Sequence, residues 1–128
     1  VNESDIRKTI QMALVYDGAI LHRNNVGLFY TRNGSPIKIG VPGASDLIGW
    51  RTFVVTPEMV GHSIAAYMAV EVKSKRGRLT GEQENFINAV VKAGGIAFYA
   101  RSVEEAKDKL GRWSLQWMGS HDRFSGDQ

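Results

Sequence analysis

Apolar residues recur at helical spacing in the first stretch of the chain, where Ile6, Ile10, Ala13 and Leu14 share one face. That spacing predicts a helix to about Tyr16, capped by Asn2 or Ser4 and ended by Asp17-Gly18. From Ala19 to Ile39 the pattern shortens into strand-like runs. Asn33-Gly34, between Phe29-Tyr30-Thr31 and Ile37-Lys38-Ile39, predicts a hairpin with a two-residue turn, and Pro36 puts the second strand at an edge. Gly40-Val41-Pro42-Gly43 predicts a turn into a short strand, Asp46 to Trp50, and Thr56-Pro57-Glu58 a brief capped helical turn.

Ile64 to Lys73 stays apolar on both faces until Glu71, the pattern of a central strand covered by helices on each side. Thr80-Gly81-Glu82-Gln83 has capping-box spacing, and Phe86, Ile87, Val90 and Val91 continue a helix to Gly94-Gly95. Ile96 to Ala100 reads as a strand and Ser102-Val103-Glu104-Glu105 as the start of a last helix to about Leu110. A strand, helix, strand succession of this length requires a parallel pair. The expected fold class is therefore α/β, an α+β mixed sheet flanked by helices, in one domain over 1–112. Residues 113–128, with Trp113, Trp117 and Phe124, read as a partly ordered tail.

Composition narrows the chemistry. At 128 residues, with 43% hydrophobic and 23% charged residues, the chain is an ordinary globular domain. It has no cysteine, which excludes disulfides, thiolate zinc sites and cysteine nucleophiles. His22, His62 and His121 are too far apart in sequence to give a local metal-ligand spacing. The longest apolar run, Ile64 to Val70, is far short of the ~20 residues that span a membrane. The opening residues are polar and acidic, so the expectation is a cytoplasmic protein with no membrane partner. No glycine-rich loop precedes a helix, so no nucleotide cofactor is expected. A net charge of +3 is compatible with nucleic acid without demanding it. Placement matters more, because Lys73, Lys75, Arg76 and Arg78 crowd beside Glu71.

In a strand, Glu71 and Lys73 fall on one face and Val72 on the other. The tripeptide alone reads first as a solvent-facing strand end. Asp46, another carboxylate entering a short apolar strand, adds a second reading. Two strands presenting Asp46 and Glu71 at one edge would make an oxygen-rich site suited to Mg²⁺ or Mn²⁺. A lysine two residues beyond the second acid could then orient or deprotonate an attacking water.

Asp46, a spacer, then Glu71-Val72-Lys73 resembles the PD-(D/E)XK nuclease superfamily. The surrounding residues are more specific. Arg23-Asn24-Asn25, the stretch Gly40 to Gly49 with Ser45-Asp46 at its centre, Glu71-Val72-Lys73-Ser74, and Gly77-Arg78-Leu79-Thr80-Gly81-Glu82-Gln83 are similar, in order, to the motifs of the virus-type replication-repair nuclease (VRR-NUC) family. The resemblance weakens beyond Leu110. It implies a restriction-endonuclease-like core and a metal-dependent DNA endonuclease. Stand-alone phage members of this size are similar to four-way-junction resolvases, which implies branched DNA as substrate and a homodimer. A duplex-preferring or nicking nuclease and an inactive DNA-binding module are the rival readings, and the intact Asp46, Glu71 and Lys73 speak against the latter.

Carried over by position, the resemblance implies Asp46, Glu71 and the Val72 carbonyl as metal ligands, with Lys73 acting on the nucleophilic water and the phosphate. Glu3 would match an acid on the first helix of such nucleases, or else simply favour the helix dipole and pair with Arg7. Gln83 would border the active site, or else only complete the capping box. Ser45, Ser74, Lys75, Arg76 and Arg78 would contact the DNA backbone, the cations having a solvated loop as their plain alternative. Arg23, Asn24 and Asn25 would line the DNA groove, with a strand-ending turn as the alternative for the two asparagines. Trp113 and Trp117 read as packing or subunit contact.

Overall fold

Asn2 opens the first helix, α1 (Glu3–Tyr16), by accepting the Asp5 N–H on its side chain, and Asp17 closes it ahead of Gly18. The computed structural model describes residues 2–125, and side chains to residue 116. Two units separate along the chain, Val1–Met59 and Val60–Gln128.

In the first unit, α1 lies against β1 (Ile20–Arg23), where Gln11 Nε2 donates to the Leu21 carbonyl at 3.0 Å. β1 pairs antiparallel with β4 (Leu47–Trp50), Arg23 opposite Leu47 and Ile20 opposite Trp50. The two backbones approach so closely that a Cβ on Gly49 would collide with the Ile20 carbonyl, so only glycine fits there. β2 (Gly27–Tyr30) and β3 (Pro36–Ile39) form the predicted hairpin, with Pro36 as first residue of its strand. Its turn differs from the two-residue form. The Gly34 N–H donates to the Thr31 carbonyl and the Thr31 N–H to the Ser35 carbonyl, both at 2.9 Å, with Gly34 at φ 80°. This is a three-residue loop, a type I turn plus a left-handed residue. The Thr31 hydroxyl favours it by accepting the Ser35 N–H at 3.1 Å. The predicted helical turn is a 3-10 turn, Pro57–Met59.

In the second unit, β5 (Met68–Val72) pairs parallel with β6 (Ile96–Ala100), Glu71 opposite Tyr99. α2 (Gly81–Lys92) makes the crossover and packs on both strands, burying Val90, while Gly94 at φ 101° lets the chain turn back. β5 is shorter than the Ile64–Lys73 run, and Met68, Val70 and Val72 remain substantially exposed in it. An apolar run fixes neither strand length nor two-sided burial, because periodicity alone leaves both open. The architecture is thus mixed α/β, with two antiparallel pairs and one parallel pair forming three two-stranded ladders among the described residues.

The last helix, α3 (Val103–Ser125), runs well past the predicted end at Leu110. Gly111 weakens a helix by about 1 kcal/mol but does not stop it. The Glu105–Lys109 and Asp108–Arg112 pairs at i,i+4 spacing carry the helix across it, and Trp113 lines a cavity with Val91, Ile96 and Phe98. The Trp117 side chain lies outside the described residues. None of the described helices is long and apolar enough to cross a membrane.

Candidate active site

In the first unit, the turn from Val41 to Ala44 delivers Asp46. The Ala44 N–H donates to the Val41 carbonyl at 3.0 Å, with Pro42 then Gly43 (φ 83°) at its centre, a type II turn that requires glycine in the third position. Asp46 follows it, exposed, immediately before β4. Asn24, immediately after β1, holds this segment twice. Its N–H donates to the Asp46 carbonyl at 2.8 Å and its Nδ2 to the Ser45 carbonyl at 3.1 Å. The amide expected in a DNA groove is therefore engaged with the loop that carries the acid. Glu3 stands exposed in the first turn of α1, and the ion pair expected with Arg7 does not form; Arg7 donates instead to the Ser4 hydroxyl at 3.3 Å.

In the second unit, strand parity and helix capping bring three predicted residues together. Gln83 Nε2 donates to Glu71 Oε1 at 2.9 Å, and Lys73 Nζ lies 3.6 Å from the same oxygen. The Lys73 side chain is 17% exposed and that of Glu71 35%, so this pair is only partly screened by water. Gln83 also completes the capping box, its Oε1 accepting the Thr80 N–H at 3.0 Å while the Thr80 hydroxyl accepts the Gln83 N–H at 3.1 Å. The two readings of Gln83 are one arrangement. One end of the amide starts the helix and the other orients the carboxylate. A cleft of about 430 Å³ adjoins them, lined by Ala69, Val70, Glu71, Gln83, Phe86 and Ile87 among others.

The ladder fixes where the Val72 carbonyl faces. Tyr67 accepts from Ile96 and Lys73 donates to Ala100, so the intervening Val72 carbonyl turns to the opposite edge of β5, which no described strand pairs. In this unit the Glu71 carboxylate and the Val72 carbonyl present oxygen, the donor type of a hard divalent ion. Among the described residues no group of three or more His, Asp or Glu side chains is placed to hold a metal. Ser74, Lys75, Arg76 and Arg78 follow Lys73, exposed, and the three cations form no ion pair among the described residues.

The sequence reading missed the residues at the outer edge of β6. Lys109 Nζ donates to the Tyr99 carbonyl at 2.6 Å and sits 3.8 Å from the centre of its ring, and Glu105 Oε2 accepts the Arg101 N–H at 3.0 Å. α3 thereby caps an open strand edge. The Lys109 hydrogen bond, and then the Arg101 N–H, hold the Glu105 carboxyl below its ordinary pKa. No local signal in the sequence marks them, because these contacts depend on the parallel register of β5 and β6.

A mixed α/β chain whose parallel strand leads into an acid and a lysine in contact, with exposed cations following, has the layout that the sequence resemblance implies for a nuclease of the PD-(D/E)XK kind. The family model of the VRR-NUC domain matches residues 1–104, and the chain belongs to that family. It is a nuclease domain whose substrate is DNA. No curated protein and no solved structure matches the chain.

Proposed function

We propose that this domain is a Mg²⁺- or Mn²⁺-dependent endonuclease that hydrolyses DNA phosphodiester bonds, selective for branched DNA and active as a homodimer. The observation that carries the metal-dependent reading is the Gln83–Glu71–Lys73 contact set at the end of β5, beside the outward-facing Val72 carbonyl. Asp46, Glu71 and the Val72 carbonyl would hold the ion, with Glu3 as a further carboxylate on the first helix. A bound divalent ion supplies a lowered water pKa and charge neutralisation at the phosphate.

The chain's own residues do the rest. Gln83 keeps the Glu71 carboxylate oriented through the hydrogen bond from its Nε2. Lys73, held near Glu71, orients the water and offers a proton donor to the charged phosphate oxygens. Lys75, Arg76 and Arg78 bind the DNA backbone with Ser45 and Ser74, which adjoin Asp46 and Lys73 in sequence, and Arg23, opposite Leu47 in the β1–β4 ladder, lines the DNA groove with Asn25. Paired incision of a four-way junction needs two such sets, and one chain carries one, which supports a two-fold dimer. The exposed Phe29 and Tyr30 of the hairpin supply apolar surface for it.

The test is cleavage of labelled duplex, flap and four-way junction with Mg²⁺, Mn²⁺ or chelator. Asp46→Asn, Glu71→Gln and Lys73→Ala should each reduce cleavage at least ~100-fold while remaining folded. Light scattering should give about twice the 14.2 kDa chain mass. Undiminished turnover in excess chelator refutes the metal; equal cutting of all three substrates by a monomer refutes the branched-DNA and dimer assignments.

A further inference from the structure

Ser74 to Gly77 form a tight turn directly after Lys73, the Gly77 N–H donating to the Ser74 carbonyl at 3.1 Å. Its two middle residues, Lys75 and Arg76, are exposed cations. One side chain from outside the turn grips it, as Arg101 Nη2 donates to the Gly77 carbonyl at 2.8 Å across 24 residues of sequence. Arg101 is itself fixed on two further sides. Its N–H is bonded to Glu105, and its guanidinium lies 4.9 Å from the centre of the Tyr99 ring, on which Lys109 also rests. Glu105 and Lys109 pair at 3.0 Å, so the chain of contacts returns to α3.

We propose that Arg101 is a positioning residue for DNA binding, holding the Ser74–Gly77 turn so that Lys75 and Arg76 present their charges to adjacent phosphates. The inference rests on the reading of Lys75 and Arg76 as backbone contacts. Charge alone does not account for the arrangement: a guanidinium that served only as another phosphate contact would not be committed to a main-chain carbonyl and an aromatic ring. An exposed loop bearing like charges would otherwise spread, and a fixed turn removes part of the ordering cost that binding must meet.

The experiment is a double-mutant cycle read by the affinity of metal-free protein for a labelled duplex over a range of salt, with folding followed by circular dichroism. Arg101→Gln should weaken binding about five- to tenfold and lower the salt slope by roughly 1. In a Lys75→Ala/Arg76→Ala background the same change should have no further effect. Tyr99→Leu, which removes the ring but no charge, should reproduce the loss in smaller degree and serves if Arg101→Gln does not fold. Additive losses mean that Arg101 touches DNA itself, and a loss of stability with unchanged affinity means that its role is structural; either overturns the proposal. If Lys75→Ala/Arg76→Ala leaves affinity unchanged, the underlying reading of the cations has failed instead.

Discussion

Gln83→Glu separates two duties that one amide performs. Glutamate suits the N3 position of a capping box as well as glutamine, so the bond to the Thr80 N–H survives and α2 keeps its start. The donor to Glu71 is replaced by a second carboxylate oxygen, where Nε2 now stands 2.9 Å from Oε1. A hydrogen bond to a charged group is worth about 1.5–3 kcal/mol. Two like charges about 4 Å apart repel by ~1 kcal/mol in water and ~4 kcal/mol at an effective dielectric of ~20. With the Glu71 side chain 35% exposed, the lower half of each range applies, giving a net loss of roughly 2.5–4.5 kcal/mol near neutral pH.

That loss has a pH signature. Two facing carboxylates raise the pKa of the pair in the folded state, so the penalty is full above the raised value and shrinks as the pH falls through it. Urea denaturation at about pH 7.5 and about pH 5 should show a wide gap from wild type at the first and a narrower one at the second. Thr80→Ala is the control. It removes the cap, costs about 1 kcal/mol at both pH values, and leaves the Glu71 contact in place, so DNA cleavage should fall far less than in Gln83→Glu. A Gln83→Glu variant as stable and as active as wild type near neutral pH, or a Thr80→Ala variant that loses activity equally, would refute this role of the Gln83 amide.

Two further predictions concern parts of the fold that hold other candidate residues. Glu105→Gln should flatten the acid limb of the stability curve. A carboxyl whose pKa is lowered on folding contributes stability above its unfolded value, lost as pH falls through the folded one, and urea midpoints measured from neutral to acid pH would show whether the slope disappears. Asn24→Ala should cost about 0.5–1.5 kcal/mol for the bond to the Ser45 carbonyl and reduce cleavage more than DNA affinity, because the amide holds the Asp46 segment. Binding and turnover measured separately decide it, and a loss confined to affinity would return Asn24 to the DNA groove.

What the sequence made legible was whatever local chemistry decides. Asn2, the Thr80–Gln83 box and Gly94 fix helix ends through bonds among residues a few positions apart, and each stands where the pattern puts it. Glu71 and Lys73 were legible as a pair because strand parity is a two-residue rule. Longer-range pairing was not. Nothing local announces that Arg101 reaches back to Gly77, or that the Asn24 amide serves the Ser45 carbonyl instead of solvent, since both bonds depend on strand register. The length of α3 is not legible for a related reason, since the i,i+4 pairs and the Trp113 packing that carry it past Leu110 are seen only in the structure. Gln83 shows how one side chain can cap a helix and hold a neighbouring carboxylate at once. An amide has a donor end and an acceptor end, and at the start of α2 the acceptor is used by the helix while the donor is left pointing at the nearest carboxylate. A capping residue on a helix that begins beside a strand end is thereby available to orient whatever acid that strand presents.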